Sequence, residues 1–209
     1  CVAYGRVKGD FKAFSAKSIV LATGGITRCW TVCSGSWEYT GDGHALALWA
    51  GAELRDMEFV QFHPTGMVWP PSVRGILVTE GVRGEGGRLF NNQMERFMFE
   101  YVPEMFRGDH AETEAEADTW VEEVVSGKIA TVRRPPELLT RDVVAKAINE
   151  EVKAGRGSPH GGAFLDISHR GKEAIQKKLP SMYHQFMELA GVDTVSYTHL
   201  TLPTTYEVE

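Results

Sequence analysis

Over the first 22 residues apolar and polar positions change in short steps, and further on they recur at helical spacing. Val2 to Gly5 and Phe11 to Phe14 stand on either side of a Gly9-Asp10 turn and predict β structure. Ser18 to Ala22 is a short apolar run and predicts a strand that ends in Thr23-Gly24-Gly25. His44 to Ala50 predicts a short helix stopped by Gly51, and residues 53–68 return to strand character around Phe59 to Phe62. Pro64, Pro70 and Pro71 then punctuate the chain.

Further along, residues 111–125 are acidic with apolar positions at Ala117, Trp120, Val121 and Val124, a spacing that predicts a solvated amphipathic helix. The sharpest pattern is at 141–154, where Val144, Ala147, Ile148 and Val152 form one apolar face, Thr140 can cap the start and Gly155 the end. A last helix is expected from Pro180, burying Tyr183, Phe186 and Leu189 and stopping at Gly191. From Val195 the chain turns Thr-rich with no continuity to that helix. Residues 195–209 read as a non-native tail such as a translated adapter, the other reading being a surface β-strand.

Composition narrows this picture without changing it. The apolar share of 43% and charged share of 24% are ordinary for a globular chain with a core. Acids exceed bases by 28 to 22 and no basic patch stands out, which argues against nucleic acid as a partner. No apolar run approaches the roughly 18 residues of a membrane span. Cys1, Cys29 and Cys33 make neither a disulfide framework nor a metal-binding spacing, so no metal is expected and a reducing, cytosolic setting fits best. The chain opens on Cys1 without an initiator Met, which suggests a start in mid-protein.

Candidate chemistry gathers in five places. Glycine straight after a buried strand, as in Ala22-Thr23-Gly24-Gly25, lets a cofactor approach the backbone, although a plain turn explains it equally. Asp42 in Tyr39-Thr40-Gly41-Asp42-Gly43 can cap a helix or accept a hydrogen bond from a ribose or ribityl hydroxyl. His63 lies at the tip of a sharp turn and Pro64 keeps it out of helical geometry; Thr65 adds a second donor there. Gly81, Gly84, Gly86 and Gly87 surround Glu80, Arg83 and Glu85, a segment able to wrap a small anion beside a charged relay, or else a flexible loop. Arg141 opens a helix, where a cation opposes the dipole. It is a surface residue, or it grips an anion at the helix start.

In this order the segments SIVLATGG, YTGDG, MEFVQFHPTG, ILVTEGVRGEGG, NNQMERFM, TRDVVAKAI, AGRG and FLDIS closely resemble the flavoprotein subunit of succinate dehydrogenases and fumarate reductases. The likeness covers roughly residues 1–193. It implies FAD as cofactor and a mixed α/β (α+β) fold. Residues 1–57 would be part of a Rossmann-like FAD-binding domain and residues 58–194 the capping domain that closes over a dicarboxylate. By that resemblance Asp42 contacts FAD and Ala22, Thr23, Gly24 and Gly25 lie beside it. His63, Thr79 and Glu80 bind substrate, Arg141 donates or accepts the proton, and Glu80 and Arg83 relay it.

The implied reaction interconverts succinate and fumarate by hydride transfer to or from the flavin N5, with a proton exchanged at the neighbouring carbon. Arginine is too weak an acid to stay deprotonated at neutral pH, so a relay that returns its proton has a physical purpose. The implied partners are a membrane anchor subunit together with an iron–sulfur subunit. Through them the protein would sit peripherally on the cytoplasmic face of the inner membrane.

Three expectations run the other way. The family's GxGxxG fingerprint, its flavin-linked His, and its second substrate His and Arg are absent from this sequence, so the piece alone is not expected to hold FAD tightly or turn over. L-aspartate oxidase shares FHPT, TE-x-x-RGEG and RD-x-VA, but Gly81 and Gly87 favour the succinate/fumarate group. A non-catalytic binding module with the capping fold is the remaining alternative, and it needs no proton relay.

Overall fold

The computed structural model describes residues 1–194 and 199–201. The chain divides into two compact units, one made of Cys1–Thr31 and Gly35–Met57, the other of Val32–Ser34 with the chain from Glu58 onward. Helices and strands mix in both, as the α/β reading expected.

The first unit begins with a hairpin. β1 (Val2–Gly5) pairs antiparallel with β2 (Asp10–Ala13), Val2 opposite Ala13 and Gly5 opposite Asp10. Tyr4 and Phe11 face each other across it with ring centroids 5.2 Å apart. The helix α1 (Asp42–Trp49) starts two residues earlier than the pattern suggested. Two strand expectations fail. Ser18 to Ala22 has no regular structure, and Val20 is 88% exposed. An all-apolar strand needs neighbours on both faces, and it pairs with none among the described residues. Residues 53–68 also form no strand; what remains is the bridge of Gly66 to Leu77.

The second unit holds the core, where Val78, Val82, Leu89, Met98, Val144, Ile148, Leu165, Ile175 and Phe186 pack together. Its elements are α2 (Glu80–Gly84), β3 (Arg88–Phe90), α3 (Glu114–Val125), α4 (Arg141–Lys153), β4 (Ala163–Asp166), α5 (Lys172–Lys178), α6 (Pro180–Gln185) and β5 (His199–Thr201). β4 lies between β3 and β5, antiparallel to both. α4 buries Val144, Ala147 and Ile148, the face its period announced. Thr140 stands at its N-cap without capping it, and its hydroxyl goes to the Asp142 carboxylate instead. α3 is capped by the Thr113 hydroxyl, which accepts from the Glu116 N–H, and buries Ala117 and Val121 but leaves Val124 exposed.

The final helix runs from Pro180 into a wider π turn at Phe186–Ala190. That change of pitch rotates the apolar face: Phe186 is buried, Tyr183 is half-buried, and Leu189 turns outward at 48% exposure. Of the Thr-rich tail, β5 is a strand paired with β4, while residues 195–198 and 202–209 lie outside the described residues. The three cysteines carry no disulfide, and no helix among the described residues is long and apolar enough to cross a membrane.

Candidate active site

In the second unit the candidate residues meet on two helix starts. Thr79 caps α2, its hydroxyl accepting from the Gly81 N–H at 3.4 Å. Glu80 and Arg83 follow three residues apart, a spacing that puts them on one side of the helix. α4 opens with Arg141, whose Nε and Nη2 donate to Glu80 Oε2 at 3.3 and 3.2 Å, while its Nη1 donates to Gln61 Oε1 at 2.8 Å. Arg83 Nη2 stands 4.0 Å from the same Glu80 oxygen. One carboxylate oxygen thus serves two guanidinium groups, bonded to Arg141 and one step short of Arg83.

The two cations differ in setting. Arg141 is 44% exposed at its side chain and Arg83 only 1%. Burial lowers the Arg83 pKa below the ordinary guanidinium value, Glu80 opposes that, and Arg141 adds to it. Arg83 Nη1 donates to the main-chain oxygen of Glu137, whereas its buried Nε and Nη2 meet no hydrogen-bond acceptor among the described residues.

His63 lies in the turn that Pro64 shapes, with Nδ1 3.3 Å from the Thr65 N–H and 3.1 Å from the Thr65 carbonyl. Burial first, then the Arg83 charge, lowers its pKa below 6.5, so the ring is neutral at pH 7. Thr65 differs from expectation. Its hydroxyl is buried and donates to the Val78 carbonyl at 2.8 Å, tying the His63 turn to the segment before α2 rather than offering a donor to a ligand.

Around the Glu80–Arg141 pair is a cleft of about 890 Å³, lined by Phe59, Val60, Gln61 and Phe62 and by Leu139, Thr140, Arg141 and Ala145, with Arg134 and Lys146 adding positive charge and Asp142 a negative one. Sequence reasoning missed Gln61, the single polar residue of that apolar run. It also missed Glu137, which no local signal marks between Pro136 and Leu138.

In the first unit the two cofactor motifs pack on each other. A Cβ on Gly24, whose φ is +77°, would stand 2.4 Å from the Tyr39 ring, and one on Gly43 would stand 1.9 Å from Thr23 Oγ1. Only bare backbone fits there. Gly41 holds the N-cap of α1, so Asp42 is the first helical residue rather than the cap. Thr23 and Gly24 are exposed, as is Ala22, and Gly25 is half-buried. The glycines let the two motifs pack on each other, and beside them exposed Asp42 opens α1 with a carboxylate that can accept from a cofactor hydroxyl such as those of FAD.

Residues 3–207 match the sequence profile of the FAD binding domain family, and the chain belongs to that family. Its cofactor is FAD, and its curated relatives include flavoprotein subunits of fumarate reductases and succinate dehydrogenases. It is 45% identical over 194 residues to a subunit of the fumarate reductase (CoM/CoB) of Methanothermobacter marburgensis, covering 93% of this chain and 30% of that one. It is 35% identical over 207 residues to the succinate dehydrogenase flavoprotein subunit of Rickettsia bellii, covering 98% and 29%. Among solved structures, Mycobacterium smegmatis Sdh1 in complex with UQ1 superposes with a TM-score of 0.60 at 54% identity, covering 95% of this chain and 28% of that one. The chain therefore spans about 30% of the length of the curated relatives it matches.

Proposed function

We propose that this chain carries the proton-transfer side of a dicarboxylate site in a flavoprotein that interconverts succinate and fumarate. The observation that carries the reading is the Glu80 oxygen placed between Arg141 and Arg83. FAD, when bound, supplies the hydride acceptor for succinate and the hydride donor for fumarate. Arg141 exchanges a proton through a guanidinium nitrogen with the neighbouring substrate carbon. An arginine that has lost a proton is strongly driven to regain it. Glu80, 3.2 Å away, stabilises the reprotonated form and passes the proton from Arg83 or solvent.

The substrate carboxylates meet Arg141, the N–H groups at the start of α4 and neutral His63, with Thr79 holding the start of α2 as well as facing substrate. Residues 1–57 act as part of the flavin-binding domain, where Asp42 and the Ala22–Gly25 turn meet the cofactor, and 58–194 act as its cap. The parent protein works beside a membrane anchor and an iron–sulfur partner, peripheral to the cytoplasmic face of the inner membrane. The identities to fumarate reductase and succinate dehydrogenase subunits favour this reading over L-aspartate oxidase.

Arg141→Lys in the full-length flavoprotein tests it. Lysine keeps the charge but loses the fork that reaches Glu80 and Gln61 together. Succinate and fumarate turnover should vanish while FAD absorbance stays, and near-normal rates in either direction would sink the assignment.

A further inference from the structure

Glu137 is gripped from two sides. Its main-chain oxygen accepts from Arg83 Nη1, and its carboxylate, 0% exposed, receives Arg96 through both Nε at 2.6 Å and Nη2 at 3.0 Å. The Leu89 N–H reaches the same carboxylate at 3.5 Å. Arg96 is fixed in turn by Asp118, Nη1 to Oδ1 at 3.0 Å, and Asp118 also takes Arg88 at 2.8 Å. Glu137 sits in the 3-10 turn Pro136–Leu138, four residues before Arg141 and on the approach to α4. A single residue therefore sets the place of Arg83 and stands on the segment that sets Arg141.

Stability alone does not account for this arrangement. A buried ion pair is often matched or bettered by apolar residues of the same volume. Nor does it explain why Arg83, 1% exposed at its side chain, is held 4.0 Å from the Glu80 oxygen. Both features make sense if what is held is a distance. The clamp keeps Arg83 4.0 Å from the Glu80 oxygen that Arg141 already bonds, too far for a static hydrogen bond and close enough for a small approach to complete one.

We propose that Arg96 and Glu137 are positioning residues for the proton relay, holding Arg83 in reach of Glu80 without touching substrate or cofactor. The inference rests on the succinate/fumarate reading above. Misplacing a group of a relay by a fraction of an ångström slows the transfer it serves while leaving substrate binding intact.

The experiment uses the full-length flavoprotein with succinate and an artificial electron acceptor. Arg96→Lys keeps the charge and loses the fork. It should lower kcat about 10-fold with KM within about twofold, and raise the solvent deuterium isotope effect on kcat as proton return becomes limiting. A purely structural role would shrink the active fraction and leave that isotope effect unchanged, which overturns the proposal. If Arg96→Lys does not fold, Asp118→Asn loosens the clamp from its half-exposed end. A raised isotope effect there supports the proposal and an unchanged one refutes it.

Glu151→Gln is the control. It disturbs a comparably buried carboxylate bonded to Asn91, Tyr101 and Arg156, with no bond to Arg83, and should leave the isotope effect at its wild-type value. A rise there would count against the specificity of the clamp. Glu80→Gln separates the two layers. If it retains turnover, the relay reading itself fails. If it abolishes turnover while Arg96→Lys behaves as wild type, only the positioning inference fails.

Discussion

The two units handle their apolar side chains in opposite ways. Every buried apolar side chain among the described residues lies at Met67 or beyond, whereas Val7, Val20, Trp37 and Trp49 of the first unit are almost bare. In the second unit, the apolar faces of α3 and α4 find partners at Ala117, Val121, Val144, Ala147 and Ile148, although Phe59, Met105 and Ile129 stay exposed. In the first, strand-like and helix-like patterns are present without a surface to bury them. Patterning specifies an element only when the partner it addresses is at hand, because ordering a residue costs about 1–2 kcal/mol that burial must offset.

The largest effect that can break this contrast is a pair of truncations. Ile148→Ala in α4 removes a fully buried side chain and should destabilise the chain by about 2–5 kcal/mol. Leu48→Ala in α1 removes one that is 51% exposed and should change stability by under about 0.5 kcal/mol. Urea unfolding followed by far-UV circular dichroism reads both. Equal losses would show that the first unit has a core of its own.

The same contrast explains which parts of the fold and site are legible in the sequence. α4 declares itself through Val144, Ala147 and Ile148 because its period matches a face that is in fact covered. The β1–β2 hairpin declares itself through Gly9-Asp10, a purely local signal. Ser18 to Ala22 carries the signature of a strand buried on both faces, and that signature promises neighbours rather than supplying them. At the site, Glu80 and Arg83 are readable because three residues separate them on one short helix. Their link to Arg141 spans 61 positions and is reachable only through the family's pattern. Arg96 and Glu137, 41 positions apart, carry no local mark, since a buried ion pair is defined by its partner.

A second prediction sharpens the comparison through charge. Glu151 is 1% exposed, and Arg156 holds its pKa down at about 2 against the pull of burial, with Tyr101 and Asn91 helping. Its ordinary value is 4.5. Because the folded value is depressed, the stability it contributes is fully present above pH 4.5 and is lost as pH falls toward 2. Glu151→Gln should therefore lower stability by roughly 1.5–3 kcal/mol at pH 7. The gap to the parent chain should close between about pH 4.5 and 2. A gap that stays constant with pH would mean the carboxylate charge contributes nothing. The first unit offers a contrast in Asp10, whose partner Lys12 stands 4.0 Å away with the two side chains 42% and 55% exposed, so losing that ion pair in Asp10→Asn should change stability little.

The smallest effect separates the helix starts of the two units. α2 has a side-chain cap in Thr79, and α1 has Gly41 with none. The Thr79 bond to the Gly81 N–H is long at 3.4 Å, which places the loss in Thr79→Ala near the low end of the usual range, about 0.5–1 kcal/mol. Thr79→Ser keeps the accepting oxygen and should restore the urea midpoint. The two substitutions also divide the residue's roles. If Thr79 only caps α2, catalysis in the full-length flavoprotein should follow stability in both variants. If it also faces substrate, Thr79→Ala should raise KM by more than the fraction unfolded can explain, while Thr79→Ser returns KM as well as stability. An unchanged midpoint in Thr79→Ala would show that α2 is held by Val82 in the core rather than by its cap. Glu80 would then owe its place beside Arg141 to packing alone.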